Sequence, residues 1–248
     1  MTKLFEGLLN PNIQFSPAEW RELIVNPLAT MSSSKERTLA ERMLQCLARV
    51  PEITQRVRRN LHHQTHFLQA RFVAEAGAIY DEAVDCLNGL RTAYLSLASK
   101  VQASGKSLSD TTCAAATKAD RLNFVFYADS QRLYGLALFT AGYINKLIRS
   151  FHLENSSHDF EAEAAGFVSE IIALAEASRP FRPLGAACMP CNLVVAWMNV
   201  RPEDHATRRL VEGLHRDYSS DFPETRAKTI CESVSGAEWI WPGNKVTM

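Results

Sequence analysis

The chain has 248 residues, and its 27 Lys and Arg balance its 27 Asp and Glu, which gives a formal net charge of zero. Hydrophobic residues make up 46% of the sequence and charged residues 22%, a composition that excludes an intrinsically disordered chain. The neutral charge argues against a polyanionic partner that needs a basic surface. At this length roughly 70% of the unfolded surface can be buried, so the sequence can build a sizeable core.

Helical periodicity dominates the sequence, and no alternating strand pattern of any length appears. A capping-box spacing at residues 33–36 predicts a helix that ends at Pro51. The apolar stripe over 68–101 predicts one long helix. A second stripe over 120–151, with an apolar flank beside it, predicts another long helix that is buried on more than one side. A Gly- and Ser-rich loop is expected between them at 103–110.

Shorter helices are predicted beyond the two long ones. The first runs from Asp159 to Ser178 and breaks at the proline-rich residues 179–183. A second follows over Gly185–Trp197, and two more begin at Pro202 and at Pro223. No linker divides the chain. We therefore expect a single all-α domain over residues 1–248, a helical bundle built around two long central helices.

The compartment is predicted from what the sequence lacks. Residues 1–11 contain no apolar run long enough for a signal peptide. The longest apolar run, at 193–198, is far shorter than the about 20 residues that a membrane span needs. We expect a cytoplasmic protein without a membrane span. Its six scattered cysteines are then expected to be free, buried thiols.

Metal and cofactor signals are weak. Cys188 and Cys191 form a CxxC, which suits half of a zinc site or a redox pair, and His62 and His66 are the nearest candidates for the other half. These four residues lack the local spacing of structural zinc motifs, so two packed thiols are expected instead of a metal site. A basic stretch within 56–71 is interpreted as a solvated helix face. Motifs for nucleotide, nicotinamide or serine-hydrolase chemistry are absent, and no cofactor is expected.

Polar residues interrupt the apolar faces of the second long helix. Burying a carboxylate on such a face is costly without a partner, and Asp129 lies on it. A row of this kind is typical of an apolar small-molecule site with a few converging polar groups. The alternative is that Asp129 pairs with Arg132 and that the other polar groups make ordinary core hydrogen bonds. The members of the row are Asp129, Tyr134, Thr140 and Asn145.

The order of turns and helices carries a family resemblance. It rests on residues 175–185, which contain a Pro-Leu-Gly turn, on the Ala196-Trp197 pair, and on the Arg- and Leu-rich residues 208–218. Residues 16–20 and 132–138 match in kind. This pattern resembles the helical C-terminal regulatory (effector) region of fungal binuclear zinc-cluster transcription factors. The resemblance implies a helical domain that holds small apolar effectors.

The chain departs from that family in its cysteines. The family's DNA-binding module is an N-terminal six-cysteine cluster, whereas the first cysteine here is Cys46 and the one CxxC lies near the other end. The chain therefore resembles an effector region that stands alone, and it cannot bind DNA through such a module.

Two functions follow from this resemblance. The first is a cofactor-independent cyclase of fungal secondary metabolism, a pericyclase of the Diels-Alderase type that orients an apolar terpenoid or polyketide intermediate in a helical pocket. A side chain that donates to a substrate carbonyl would assist the ring closure. The alternative is a nuclear regulator without DNA-binding activity, or a truncated zinc-cluster factor, that binds a small metabolite or a partner regulator. Both hypotheses allow the protein to form a homodimer.

The candidate residues divide by role in the cyclase hypothesis. Those expected to supply the catalytic group are Asp129, Tyr134 and His66. Trp197 is more simply explained as a core residue, but it is kept as a candidate for the cavity wall. The expected substrate-binding residues are Thr140, Asn145, Tyr127, Phe126, Tyr94 and Trp197.

Overall fold

The computed structural model describes residues 34–60, 66–103, 118–150, 158–183, 186 and 188–221, and within these ranges it leaves out the side chains of 50–60, 66–72 and 118–124. This part of the chain contains helices and no strand, which confirms the all-α class. The helices are α1 (Ser34–Asn60), α2 (His66–Ala103), α3 (Lys118–Ser150), α4 (Phe160–Ser178), a 3₁₀ turn (Arg179–Phe181), α5 (Met189–Asn199) and α6 (His205–Ser219).

The two long helices lie at the centre, as the periodicity predicts. Helix α2 has 38 residues and packs against α1 and α3, while α3 has 33 residues and packs against α1, α2, α4 and α5. Between Ser130 and Asn145, every residue of α3 is buried except the exposed Arg132 and the half-buried Leu136. The prediction of burial on more than one side of this helix is therefore confirmed.

Helix α1 continues past the residue at which we expected it to end. It runs through Pro51 to Asn60, so the predicted end at Pro51 is wrong. A proline removes one backbone N–H from a helix, but the hydrogen bonds on either side of it can survive. In its described half, α1 packs closely on α2. A Cβ at Gly89 would lie 2.6 Å from Leu39 Cδ1, and Arg42 Nε pairs with Glu82 Oε1 at 2.5 Å.

Two glycines let α5 approach α3. A Cβ at Gly142 would lie 2.8 Å from Val195 Cγ1, and a Cβ at Gly135 would lie 2.9 Å from Asn192 Nδ2. These glycines are two helical turns apart and therefore lie on one face of α3. The absence of side chains there makes room for a nearly fully buried α5.

The starts of α4, α5 and α6 agree to different degrees with the starts predicted from the sequence. Helix α4 begins where expected, with Asp159 accepting a hydrogen bond from the Ala162 backbone N–H at 3.0 Å. Helix α5 begins at Met189, later than the expected Gly185. Helix α6 is capped by Asp204, so Pro202 precedes the helix. The helix predicted from Pro223 and most of the predicted loop at 103–110 lie outside the described residues.

The turn after α4 is fastened to the end of α6. Arg182 donates from Nε and Nη2 to the two carboxylate oxygens of Asp221, at 2.6 and 2.9 Å, and from Nη1 to Asp217 at 2.9 Å. Its guanidinium also lies 4.8 Å over the Tyr218 ring. The Tyr218 hydroxyl donates to the carbonyl of Ala175 in α4. These contacts fix α6 against α4.

Among the helices of the described segments, none combines the length and the apolar character that crossing a membrane requires.

Candidate functional site

Three tyrosines from the two central helices form a stack, here called the tyrosine cluster: Tyr94, Tyr127 and Tyr134. Tyr94 lies between the other two, with ring centroids 5.6 Å from Tyr127 and 5.0 Å from Tyr134. The interplanar angles are 23° and 18°, so the rings stack nearly parallel. The hydroxyls of Tyr94 and Tyr127 are 3.3 Å apart and share a hydrogen bond in which either can donate. The structure thus brings together three of the residues expected at a ligand site.

The helix geometry explains why these rings meet. Tyr127 and Tyr134 are two turns apart on α3, which places both on one face of the helix. Tyr94 in α2 fits between them because α2 and α3 pack along their length. Phe181, in the 3₁₀ turn after α4, lies 5.7 Å from the Tyr127 ring and adds a fourth aromatic side chain. Tyr94 and Tyr134 are buried and Tyr127 is half-buried, so the cluster extends from the core toward solvent.

An ion pair between α2 and α4 holds the inner end of the cluster. Arg91 donates from Nε and Nη2 to the two carboxylate oxygens of Glu170, at 2.9 and 2.8 Å. The Tyr134 hydroxyl donates to the same carboxylate. Arg91 Nη1 also donates to Asn88 at 2.5 Å, which orients the guanidinium along α2. Tyr134 therefore links three helices through Glu170.

The phenols of Tyr94 and Tyr134 stay neutral at physiological pH. Burial raises the pKa of Tyr94, and its hydrogen bond to Tyr127 raises it further. Burial also raises the pKa of Tyr134, and the hydrogen bond to Glu170 adds to this, although Arg91 acts in the opposite direction. Neutral phenols can donate a hydrogen bond to a ligand oxygen, but they do not supply a base.

Arg91 and Glu170 were not among the residues expected from the sequence. They lie in different helices and far apart along the chain, so no local spacing connects them. The tyrosines gave a weak signal, because Tyr127 and Tyr134 recur on one helix face. Arg91 and Glu170 carry no such pattern, and their pairing depends on how α3, which packs against both α2 and α4, places those two helices.

Asp129 makes the pair that was considered as the alternative to a ligand role. Arg132 Nη1 lies 3.3 Å from Asp129 Oδ1, one turn along α3. The Asp129 side chain is 27% exposed, so the carboxylate is not enclosed in the core. Thr140 is fully buried, and its hydroxyl donates to the carbonyl of Leu136 at 2.8 Å. In the structure, neither group is drawn into the tyrosine cluster by a hydrogen bond.

Asn145 belongs to a separate row of polar contacts, here called the polar chain, formed by His158, Glu163, Tyr80, Asn145, Arg149 and Asn199. Asn145 Nδ2 donates to the Tyr80 hydroxyl at 2.9 Å and to the carbonyl of Phe160 at 3.1 Å. Its Oδ1 accepts from Arg149 Nε at 2.8 Å. Tyr80 donates in turn to Glu163. The amide of Asn145 is therefore satisfied within the core.

The polar chain continues to both sides of Asn145. On one side, the two ring nitrogens of His158 lie 2.9 Å from Glu163 Oε1 and 2.7 Å from Asp81 Oδ1. On the other side, Arg149 Nη2 donates to Asn199 Oδ1 at 2.6 Å. Asn199 Nδ2 donates to the carbonyls of Gly142 and Val195. The polar chain connects α2, α3, α4 and α5.

The remaining expected site residues lie elsewhere. Trp197 in α5 donates from Nε1 to Glu212 in α6 at 3.0 Å, and Arg208 covers its ring. Phe126 is half-buried in the first part of α3, next to Tyr127 in sequence. His66 is the first residue of α2, and its side chain lies outside the described part.

The CxxC lies at the start of α5. Cys188 is the N-cap residue and Pro190 occupies the first turn of the helix, and both cysteines are buried thiols. Burial raises the pKa of Cys188. Across the segments that the structure describes, no three His, Cys, Asp or Glu side chains are grouped so that they could hold a metal ion. His62 lies outside those segments.

The chain matches no protein-family model, no curated protein and no solved structure. What can be inferred about its function therefore depends on the geometry of its own residues.

Proposed function

We propose that this protein binds an apolar terpenoid or polyketide molecule at the tyrosine cluster and promotes its ring closure without a cofactor. The observation that carries the proposal is the stack of Tyr94, Tyr127 and Tyr134, with two hydroxyls in mutual contact and its outer ring half-buried. Aromatic faces offer apolar contact, and phenols offer directed hydrogen bonds. This combination suits a mainly apolar molecule that carries a carbonyl.

The roles of the three tyrosines differ in this proposal. Tyr94 and Tyr127 share one hydrogen bond, and this hydroxyl pair receives the ligand carbonyl. A hydrogen bond to that carbonyl stabilises the charge that develops on oxygen during a polar ring closure or a cycloaddition. Tyr134 donates to Glu170 and so acts as a positioning residue that holds Tyr94 in place. Most of the acceleration would come from holding the molecule in a reactive conformation.

The experiment begins with native mass spectrometry of the protein isolated from its natural host, which identifies any retained metabolite. That metabolite, or its linear precursor, is then incubated with the wild type, with Tyr127→Phe and with Tyr143→Phe. Tyr143 is a matched control, because it is a buried tyrosine of α3 that stacks on Phe139. We expect the wild type and Tyr143→Phe to accelerate ring closure, and Tyr127→Phe to do so about tenfold less or worse.

Two results would count against the proposal. Equal activity of Tyr127→Phe and the wild type would show that the pair of Tyr94 and Tyr127 hydroxyls does not contribute to ring closure. Binding of the metabolite without any acceleration of ring closure would contradict a cyclase activity. It would favour the alternative, a regulator that responds to a small metabolite.

A further inference from the structure

The imidazole ring of His158 lies between two carboxylates that belong to different helices. Its Nε2 is 2.7 Å from Oδ1 of Asp81 in α2, and its Nδ1 is 2.9 Å from Oε1 of Glu163 in α4. An ionised carboxylate only accepts hydrogen bonds, so each ring nitrogen must carry a proton for both contacts to form. The geometry therefore requires the doubly protonated, positively charged imidazolium.

The two contacts of the ring join different parts of the fold. His158 comes directly before Asp159, the N-cap of α4, so its contact with Glu163 lies within the start of one helix. Its contact with Asp81 crosses to α2. The ring also packs edge-on against Tyr80 of α2, with centroids 5.0 Å apart and an interplanar angle of 77°. The protonated ring therefore ties the start of α4 to α2.

The ring is the group in these contacts that titrates near neutral pH. The titratable and charged groups that face it are Asp81 and Tyr80 of α2 and Glu163 of α4, with Arg149 of α3 further along the polar chain. Burial raises the pKa of Tyr80, and the hydrogen bond to Glu163 raises it further, so this phenol stays neutral. Burial lowers the pKa of His158, but the hydrogen bonds to the two carboxylates outweigh burial and raise it.

Loss of one proton must break one of the two contacts, because a neutral imidazole has one donor and one acceptor nitrogen. The Glu163 side chain is 31% exposed and also accepts from Tyr80, whereas the Asp81 side chain is 59% exposed. A carboxylate that water can reach loses less free energy when its donor is removed. We therefore expect the remaining proton to stay on Nδ1, beside Glu163, and the contact with Asp81 to open.

We propose that His158 is a pH-sensitive switch that joins the start of α4 to α2 when its ring is charged and releases that joint when Nε2 loses its proton. In the neutral ring the lone pair of Nε2 faces the negative charge of Asp81, and the exposed carboxylate turns to solvent. Tyr80 still donates to Glu163, so the opening is local and the fold persists. The switch does not depend on the tyrosine cluster or on any reaction there.

The first test follows the ring nitrogens of the ¹⁵N-labelled full-length chain by NMR between pH 5.5 and 8.5, with the His158 signals assigned from His158→Gln. We expect both nitrogens to be protonated at low pH and Nε2 to be the one that loses its proton. Asp81→Asn should lower the midpoint by about 0.5–1 pH unit, because a neighbouring negative charge is removed. The matched control is Asp85→Asn, at an exposed acid one turn further along α2, which should move the midpoint by less than about 0.3.

The second test measures the opening itself through amide hydrogen exchange at the start of α4. The hydrogen-bonded amides of Ala162 and Glu163 report on this turn. In the wild type and in Asp85→Asn, their protection factors should fall about fivefold across the titration. In Asp81→Asn they should change by less than about twofold, because the new amide can accept from the charged ring and donate to the neutral one.

Three results would overturn the proposal. The first is a ring that loses its proton from Nδ1 instead of Nε2. The second is a midpoint that Asp81→Asn and Asp85→Asn change equally. The third is a wild type in which the protection of the Ala162 and Glu163 amides does not follow the titration of His158.

Discussion

Arg91 holds Glu170 by two hydrogen bonds that join α2 to α4, and the same carboxylate accepts from Tyr134 of α3. One acidic side chain therefore connects three helices beside the stacked tyrosines. Because Arg91 and Glu170 are each about one-third exposed, their charge attraction is partly screened by solvent. The two parallel hydrogen bonds still fix how the guanidinium and the carboxylate face each other.

Removing this shared acceptor should destabilise the fold measurably. We expect Glu170→Ala to lower the free energy of unfolding by about 1–3 kcal/mol, because it leaves Arg91 and the Tyr134 hydroxyl without their partner. Urea denaturation measures the change. Glu176→Ala is the control on the same helix, where an exposed pair with Arg179 is lost and the expected change is under about 1 kcal/mol. Equal effects of the two substitutions would contradict the linking role of Glu170.

Glycine substitutions should have opposite effects in α3 and α4. Gly142→Ala is expected to lower the free energy of unfolding by about 1–3 kcal/mol, because its Cβ would crowd the buried, β-branched Val195. Gly166→Ala meets no atom within 4 Å and should raise that free energy by about 0.5–1 kcal/mol through helix propensity. Thermal and urea unfolding test both. A stabilising Gly142→Ala would show that α5 does not approach α3 so closely.

Stability should fall as the pH rises through the pKa of His158. Burial lowers the pKa of this histidine, but its hydrogen bonds to Glu163 and Asp81 outweigh burial and raise it above the ordinary value. Because the raised pKa belongs to the folded state, the extra stability is complete below about pH 6.5, the ordinary histidine pKa, and is lost as the pH rises from there through the raised pKa of the folded state.

The pH dependence of stability that we assign to His158 is measured as the melting temperature between pH 5.5 and 8.5. His158→Gln should flatten this part of the profile. Asp81→Asn, which removes the negative charge of one of the two carboxylates, should reduce the slope by less. A profile that His158→Gln leaves unchanged would contradict the assignment.

The thiols between α1 and α2 should resist alkylation in the folded protein. Burial raises the pKa of Cys46 to about 12 and that of Cys86 to about 11, so little of the reactive thiolate is present at neutral pH. We expect iodoacetamide to leave both residues unmodified in the native protein and to modify both in urea, as measured by peptide mass spectrometry. Rapid native labelling of either would indicate that α1 detaches from α2.

The helices could be predicted because their signal is local and periodic. The long apolar stripes fixed α2 and α3, and Asp159 marked the start of α4. Pro51 was misjudged because a proline is a common stop signal in a helical sequence but not an obligatory one. Similarly, the start expected at Gly185 was displaced to Met189 in α5, because a turn signal does not state how long the turn is.

The candidate site was only partly accessible from the sequence. The tyrosines of α3 and α2 were selected for their residue type and their helix face, and they do lie together. Asp129 was selected for the same reasons, but it lies where solvent and Arg132 reach it. Glu170 was missed because its contacts with Arg91 and Tyr134 depend on how α2, α3 and α4 are placed relative to one another, which periodicity does not encode.

The polar chain through Asn145 restricts how α3 can be positioned against its neighbouring helices. Apolar helix faces tolerate small rotations and shifts of one helix past another, because dispersion contacts can be exchanged at little cost. The Asn145 amide accepts only one arrangement, since its donor and acceptor ends must meet Tyr80 and Arg149 at the same time. Any other seating would leave buried polar atoms unsatisfied. Asn145 thus fixes the rotation of α3 about its own axis relative to the helices that pack against it.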